Sequence, residues 1–154
     1  MKNAFLSCLI LLGIAVFAPS AASAQSYRTG IGLMIDAGDG RTFVGPHIKH
    51  FFNQHNAGQA MILFAGRTTI IGAEYSYNKA IPGAQGLSWY VGIGPQAAIR
   101  RSDSYLLIRP LGGLEFKIPS APLAASFDWR PMWAIGKESE FIPGRFGVAF
   151  KFTF

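Results

Sequence analysis

Cysteine is almost missing from this 154-residue chain, and its single copy is Cys8. Acidic side chains are also few, 8 against 14 Lys and Arg. Beyond the first two dozen residues no apolar run reaches the roughly 20 residues that a membrane-spanning helix needs. Each shortage excludes something. Without a cysteine pair there is no disulfide, and a thiolate nucleophile or zinc–cysteine site has nothing to be built from once Cys8 is removed. The basic balance could suit a nucleic acid, but Lys and Arg are scattered along the chain rather than gathered on one face, so no nucleic-acid partner is expected. What remains plentiful is apolar residues, half the chain, together with 18 Gly and many aromatics spread over short segments.

Residues 1–24 read as a secretory leader. Lys2 gives the positive start, residues 4–17 the apolar core, and Ala22-Ser23-Ala24 the small residues at which such leaders are cut. The core is too short to remain as an anchor. Cys8 lies within it rather than at its close, so lipidation at that position is not expected. Removing 24 of the 154 residues leaves a single 130-residue domain, 25–154. Of the 14 basic residues Lys2 goes with the leader, and the 8 acidic ones then leave a balance of about +5.

The mature part is organised around its last ten residues. Phe146, Val148, Phe150, Phe152 and Phe154 alternate with Gly147, Ala149, Lys151 and Thr153, the period of two that marks a strand with one apolar face. An edge strand of a soluble β-sandwich is one reading. A transmembrane strand of about nine to eleven tilted residues is the other, and the terminal Phe resembles the assembly signal of bacterial outer-membrane barrels, with Phe150, Phe152 and Phe154 carrying it.

Seven more segments alternate in the same way: 27–36, 42–52, 58–66, 69–78, 87–100, 105–118 and 123–133. Eight strands with both ends on one side predict an all-β, eight-stranded antiparallel up-and-down transmembrane β-barrel. Closure follows from the cost of open sheet edges in hydrocarbon. Turns at 53–56, 79–86 and 119–122 would face the periplasm. Short ones near Gly38, Arg67, Ser102 and Lys137 would face outside, with 134–144 a loop.

Charge falls on the inward phase. Arg28, Asp36, Lys49, Glu74, Arg100, Arg109, Glu115, Lys117, Asp128, Arg130 and Lys151 all take it. A barrel of this size is filled by side chains, so these charges are expected to pair as a plug; a narrow ion path is the alternative. His47 and His50, three apart, point to opposite faces of a strand, which argues against a shared metal. Together with His55 they are read as interior or interfacial hydrogen-bonding groups. Tyr27, Tyr75, Tyr77, Trp89, Trp129, Trp133 and Phe154 are read as membrane-interface aromatics.

The run Leu114-Glu115-Phe116-Lys117-Ile118-Pro119-Ser120-Ala121-Pro122, leading into Ser126-Phe127-Asp128-Trp129-Arg130-Pro131, resembles a hairpin pattern of small bacterial outer-membrane β-barrel proteins. Leu87-Ser88-Trp89-Tyr90 and the closing Phe-Thr-Phe look like the same group, and the similarity spans the mature chain. More distantly it is similar to OmpA/OmpX-type barrels; as the chain stops at the last strand, the peptidoglycan-binding domain of some of those is not expected. The resemblance implies residence in the outer membrane of a Gram-negative cell. It also implies lipid and lipopolysaccharide as surroundings, and periplasmic chaperones and the barrel-assembly machinery as partners during biogenesis. A non-enzymatic structural or surface-interaction role in a monomer without cofactor is the expectation. A barrel enzyme acting on lipid A or phospholipid, or a narrow solute channel, is the alternative.

Overall fold

Alternation of apolar and polar side chains becomes ten strand segments in the computed structural model, which describes residues 27–136 and 139–154. The leader assigned to 1–24 and the turn residue Lys137 lie outside the described residues. The segments are β1 (Thr29–Gly38), β2 (Arg41–Phe51), β3 (Asn56–Ala65), β4 (Thr68–Ala80), β5 (Leu87–Ile99), β6 (Ser104–Lys117), β7 (Leu123–Trp129), β8 (Met132–Ile135), β9 (Glu140–Ile142) and β10 (Arg145–Thr153). All pairings are antiparallel, and β10 against β1 closes the sheet into an eight-stranded barrel. Among the described residues there is no helix that could cross a membrane.

Ten segments make eight staves because the last two are interrupted by proline. β7 and β8 pair with β6 on one register, Gly112↔Trp129 and Ile108↔Trp133. Between them Pro131 lies level with Pro110, and neither has an N–H to give the ladder. β9 and β10 form the final stave with a one-residue bulge. The β7–β10 register, Phe146↔Trp129, would carry Met132 to Pro143, yet Met132 faces Ile142. The expected loop at 134–144 is therefore largely a hairpin of β8 and β9. Local alternation could not show this, since three residues of β9 are too few to read.

Two far-end turns are set by glycine. Asp39-Gly40 joins Gly38 to its ladder partner Arg41, and both turn residues take positive φ, 49° and 71°. That is the Asp-Gly chemistry of a two-residue I′ hairpin, at the short turn expected near Gly38. Gly66-Arg67 joins Ala65 to Thr68 with Gly66 at φ 55°.

Following the ladders from Gly38 leads through Arg145, Arg130, Leu111, Gly92, Ser76, Ala57 and Phe51 to Arg28. Arg28 lies ten residues back along the first stave from Gly38, so the barrel has a shear of ten. With ~3.3 Å per residue and ~4.8 Å between strands, that shear tilts the staves by about 40°. Residues on this path all face inward, so each turn of the spiral is one layer of the filling.

The two faces divide sharply by chemistry. Outward, Leu33, Ile62, Val91, Ile93, Phe127, Phe150 and Phe152 are among many large apolar side chains left exposed. Inward, Asp36, Lys49, Glu74, Arg109, Glu115, Asp128, Arg130, Arg145 and Lys151 are buried. Only towards the far end, away from the termini, does the interior turn apolar. There Phe43, Leu63, Ile70, Leu107 and Met132 pack together.

Candidate functional site

Among the described residues the lumen holds four buried carboxylates and five buried Lys or Arg, and every one of the five cations meets a carboxylate. The register stacks them in three groups. Nearest the termini, Glu115 on β6 accepts from Lys151 at 2.6 Å, Lys49 at 3.2 Å and the Tyr27 hydroxyl at 2.7 Å. Lys49 also donates to Asn78 Oδ1 at 2.7 Å and lies over the rings of Phe51 and Tyr90. One carboxylate thus holds two ammonium groups, from β2 and β10, the two staves that flank β1.

In the middle group Arg130 grips Asp128 with two nitrogens, Nε at 2.5 Å and Nη2 at 3.0 Å, and reaches Glu74 with the third at 3.3 Å. Tyr90 donates to Asp128 Oδ2, which Arg130 Nη2 also reaches, at 2.5 Å, and Gln96 to Glu74 at 2.6 Å. This planar, two-pronged contact is the geometry for which arginine is suited and lysine is not.

The third group explains how the wall survives its prolines. Arg109 donates to the carbonyls of Arg130 and Pro131, at 2.8 and 3.2 Å, where the ladder to β6 is interrupted. It also pairs with Asp36 at 2.9 Å. Arg145 reaches the same Asp36 at 2.9 Å and donates to the carbonyl of Gly38, beside the bulge. A buried backbone acceptor without a donor costs about as much as a lost hydrogen bond, and these two guanidiniums supply the donors. Above them the Phe43 ring faces Arg145 and begins the apolar layer.

Of the residues expected in the network, Asp36, Lys49, Glu74, Arg109, Glu115, Asp128, Arg130 and Lys151 are brought together. Three are not. Arg28 is exposed at the terminal rim, because the stave ends there although the inward phase continues. Lys117 is half-buried and donates to the Ile118 and Ala121 carbonyls, tying the turn after β6 rather than meeting a carboxylate. Arg100 likewise keeps its phase but lies exposed beyond β5, its guanidinium over the Tyr105 ring. Tyr27 departs the other way. It was read as an outward aromatic, but it precedes β1 and turns its hydroxyl into the lumen. Sequence reasoning left out Arg145 and the role of Tyr90, although both carry the inward phase of their strands.

Tyr75, Tyr77, Trp89, Trp129 and Trp133 point outward and are exposed. The first three cluster near the termini, with Tyr75 donating to Asn56 and Tyr77 6.0 Å from Trp89. The other two sit towards the far end, where Trp129 donates its indole N–H to the Pro143 carbonyl. Phe150, Phe152 and Phe154 form an exposed outward row beside β1. His47 is buried against Gln59, His50 meets Thr29, and His55 meets the Asn78 carbonyl. The three histidines lie in separate environments, and among the described residues no cluster has the make-up of a metal site.

Chemically the arrangement is an ion-paired, mutually hydrogen-bonded filling under an apolar layer, with five cations set against four carboxylates among the described residues. Breaking one contact leaves a charge with no solvent to receive it, which is how such a filling fixes the wall around it. Compared with known proteins, the chain matches no family model, no curated protein and no solved structure.

Proposed function

We propose that this chain is an integral outer-membrane β-barrel protein, a monomer whose wall lies in lipid and whose role is structural or one of surface interaction rather than catalysis. The observation that carries the reading is the inverted distribution of side chains: apolar outside on all eight staves, charged and paired inside. In water such a surface would far exceed the few hundred Å² of contiguous apolar patch that soluble monomers tolerate, whereas hydrocarbon is its natural solvent. A tilt near 40° agrees with the range for membrane barrels. The hairpin resemblance from Leu114 to Pro131 supports the same assignment.

On this reading the terminal end faces the periplasm and the turns at 39–40, 66–67 and 100–103 face outside. Tyr75, Tyr77 and Trp89 lie at one lipid–water boundary and Trp133 at the other. Chaperones and the assembly machinery read the aromatic row that ends at Phe154. The ion-paired filling and the apolar layer over it support a closed lumen rather than an ion path. Fractionation tests the proposal. The mature chain is expected in the detergent-extracted outer membrane, migrating faster unboiled than boiled, and recovery in a detergent-free periplasmic extract would refute it.

A further inference from the structure

Above the apolar layer, one side of the barrel mouth, from β2 to β5, carries three arginines. The β2–β3 register, Val44↔Phe64, carries on to set Arg41 level with Arg67. The β4–β5 register, Thr69↔Ile99, carries on to set Arg100 level with Thr68. All four continue the inward phase of their strands, one layer beyond Phe43, Ala65, Ile70 and Ala98. Together with Thr42 they line a recess of about 550 Å³ open to the far end.

The charge here lacks the pairing found in the lumen. Among the described residues none of the three guanidiniums is in an ion pair, while every buried cation below them is. Asp39 and Asp103 share turns with Arg41 and Arg100 but do not line the recess. Asp103 instead accepts from Ser102. Like charges set level across a ladder are destabilising, so folding alone gives no reason for Arg41 to face Arg67. Tyr105 beneath Arg100 holds one of the forks in place. Three planar forks with two hydroxyls and the backbone of Gly66 suit tetrahedral oxyanion oxygens.

We infer that this recess is a binding site for a phosphate-bearing anion, either the phosphorylated headgroup of a glycolipid or a free phosphate compound. The recess chemistry stands apart from the membrane assignment, on which only the glycolipid source depends. The test uses the full mature chain folded in detergent. Titration calorimetry is run with inorganic pyrophosphate, then with mixed micelles of lipid A bearing both phosphates against dephosphorylated lipid A. Binding of pyrophosphate identifies a free anion as sufficient; phosphate-dependent binding of lipid A alone identifies a headgroup. In either case Arg67→Gln and Arg100→Gln should each weaken binding about tenfold. Arg28→Gln, at the opposite rim, should leave it unchanged. Unboiled migration of each variant verifies that the barrel has formed. Failure of both probes to bind, or equal loss in the Arg28 variant, would overturn the site while leaving the membrane assignment untouched.

Discussion

Gly147 makes room for the tightest ion pair in the lumen. A Cβ added there would stand 2.6 Å from Arg130 Nε and 2.6 Å from Asp128 Oδ1. Neither atom is free to retreat, because Asp128 is also held by Tyr90 and Arg130 by Glu74. Gly147→Ala is therefore expected to destabilise the barrel by about 1–3 kcal/mol, the usual cost of overpacking, read as a lower urea midpoint for protein folded in lipid. Asp128→Ala should cost more, about 3–5 kcal/mol, since it strands a buried guanidinium. Lys117→Ala, which frees only turn carbonyls, should cost roughly 1 kcal/mol. Equal midpoints for the two changes would mean that the middle group is solvated. At this scale the sequence tells which way a side chain points but not how far along the stave it lies. Arg28, Arg100 and Lys117 have the phase of Arg109 and Arg130, but at the rims that phase leads to solvent or a turn rather than to a carboxylate. Partnership depends on the shear, which spreads each layer over eight strands and cannot be seen in any one of them.

At the scale of the element, β10 is the seam. It pairs with β1 along nine residues and with β7 on its other side, and its alternation is the clearest in the chain. Phe150 is 60% exposed and Lys151 2%. Phe150→Arg sets a charge on the outward apolar face and, with that face in lipid as proposed, is expected to cost about 2–4 kcal/mol near mid-membrane. Lys151→Arg keeps its charge beside Glu115 and should cost less. Refolded stability of the two variants checks this, and equal losses would contradict the register. Phe154 needs a gentler change than removal. Its N–H and carbonyl bond Thr29 and Arg28 across the seam, so truncation would loosen the barrel as well as remove the proposed assembly signal. Phe154→Ala keeps those bonds. It is expected to lower outer-membrane yield while leaving refolded stability nearly unchanged. All eight staves were legible because each alternates for seven residues or more. The split of the last two was not, because it arises where Pro110, Pro131 and Pro143 meet across strands far apart in sequence.

For the whole molecule the main departure from expectation lies inside the far end. Phe43, Leu63, Ile70, Leu107 and Met132 occupy inward positions that alternation alone would assign to the polar filling. They were legible only as residues, since which inward positions share a layer is fixed by register. Their presence over the ion-paired groups leads to the expectation that protein inserted in a planar bilayer gives no steady conductance. A persistent open level would mean that the layer does not close the lumen. The central claim, that the apolar face of the wall meets lipid, is tested most directly by site-directed spin labelling. Cys8 is the single cysteine and precedes the barrel, so in protein comprising residues 25–154 Leu33, Ile62, Val91 and Phe150 can each be replaced by a labelled cysteine on four different staves. In lipid vesicles all four labels should relax strongly with oxygen, which partitions into hydrocarbon, and weakly with a water-soluble nickel chelate. Strong relaxation by the nickel chelate at these positions would place the apolar face in water and contradict the account.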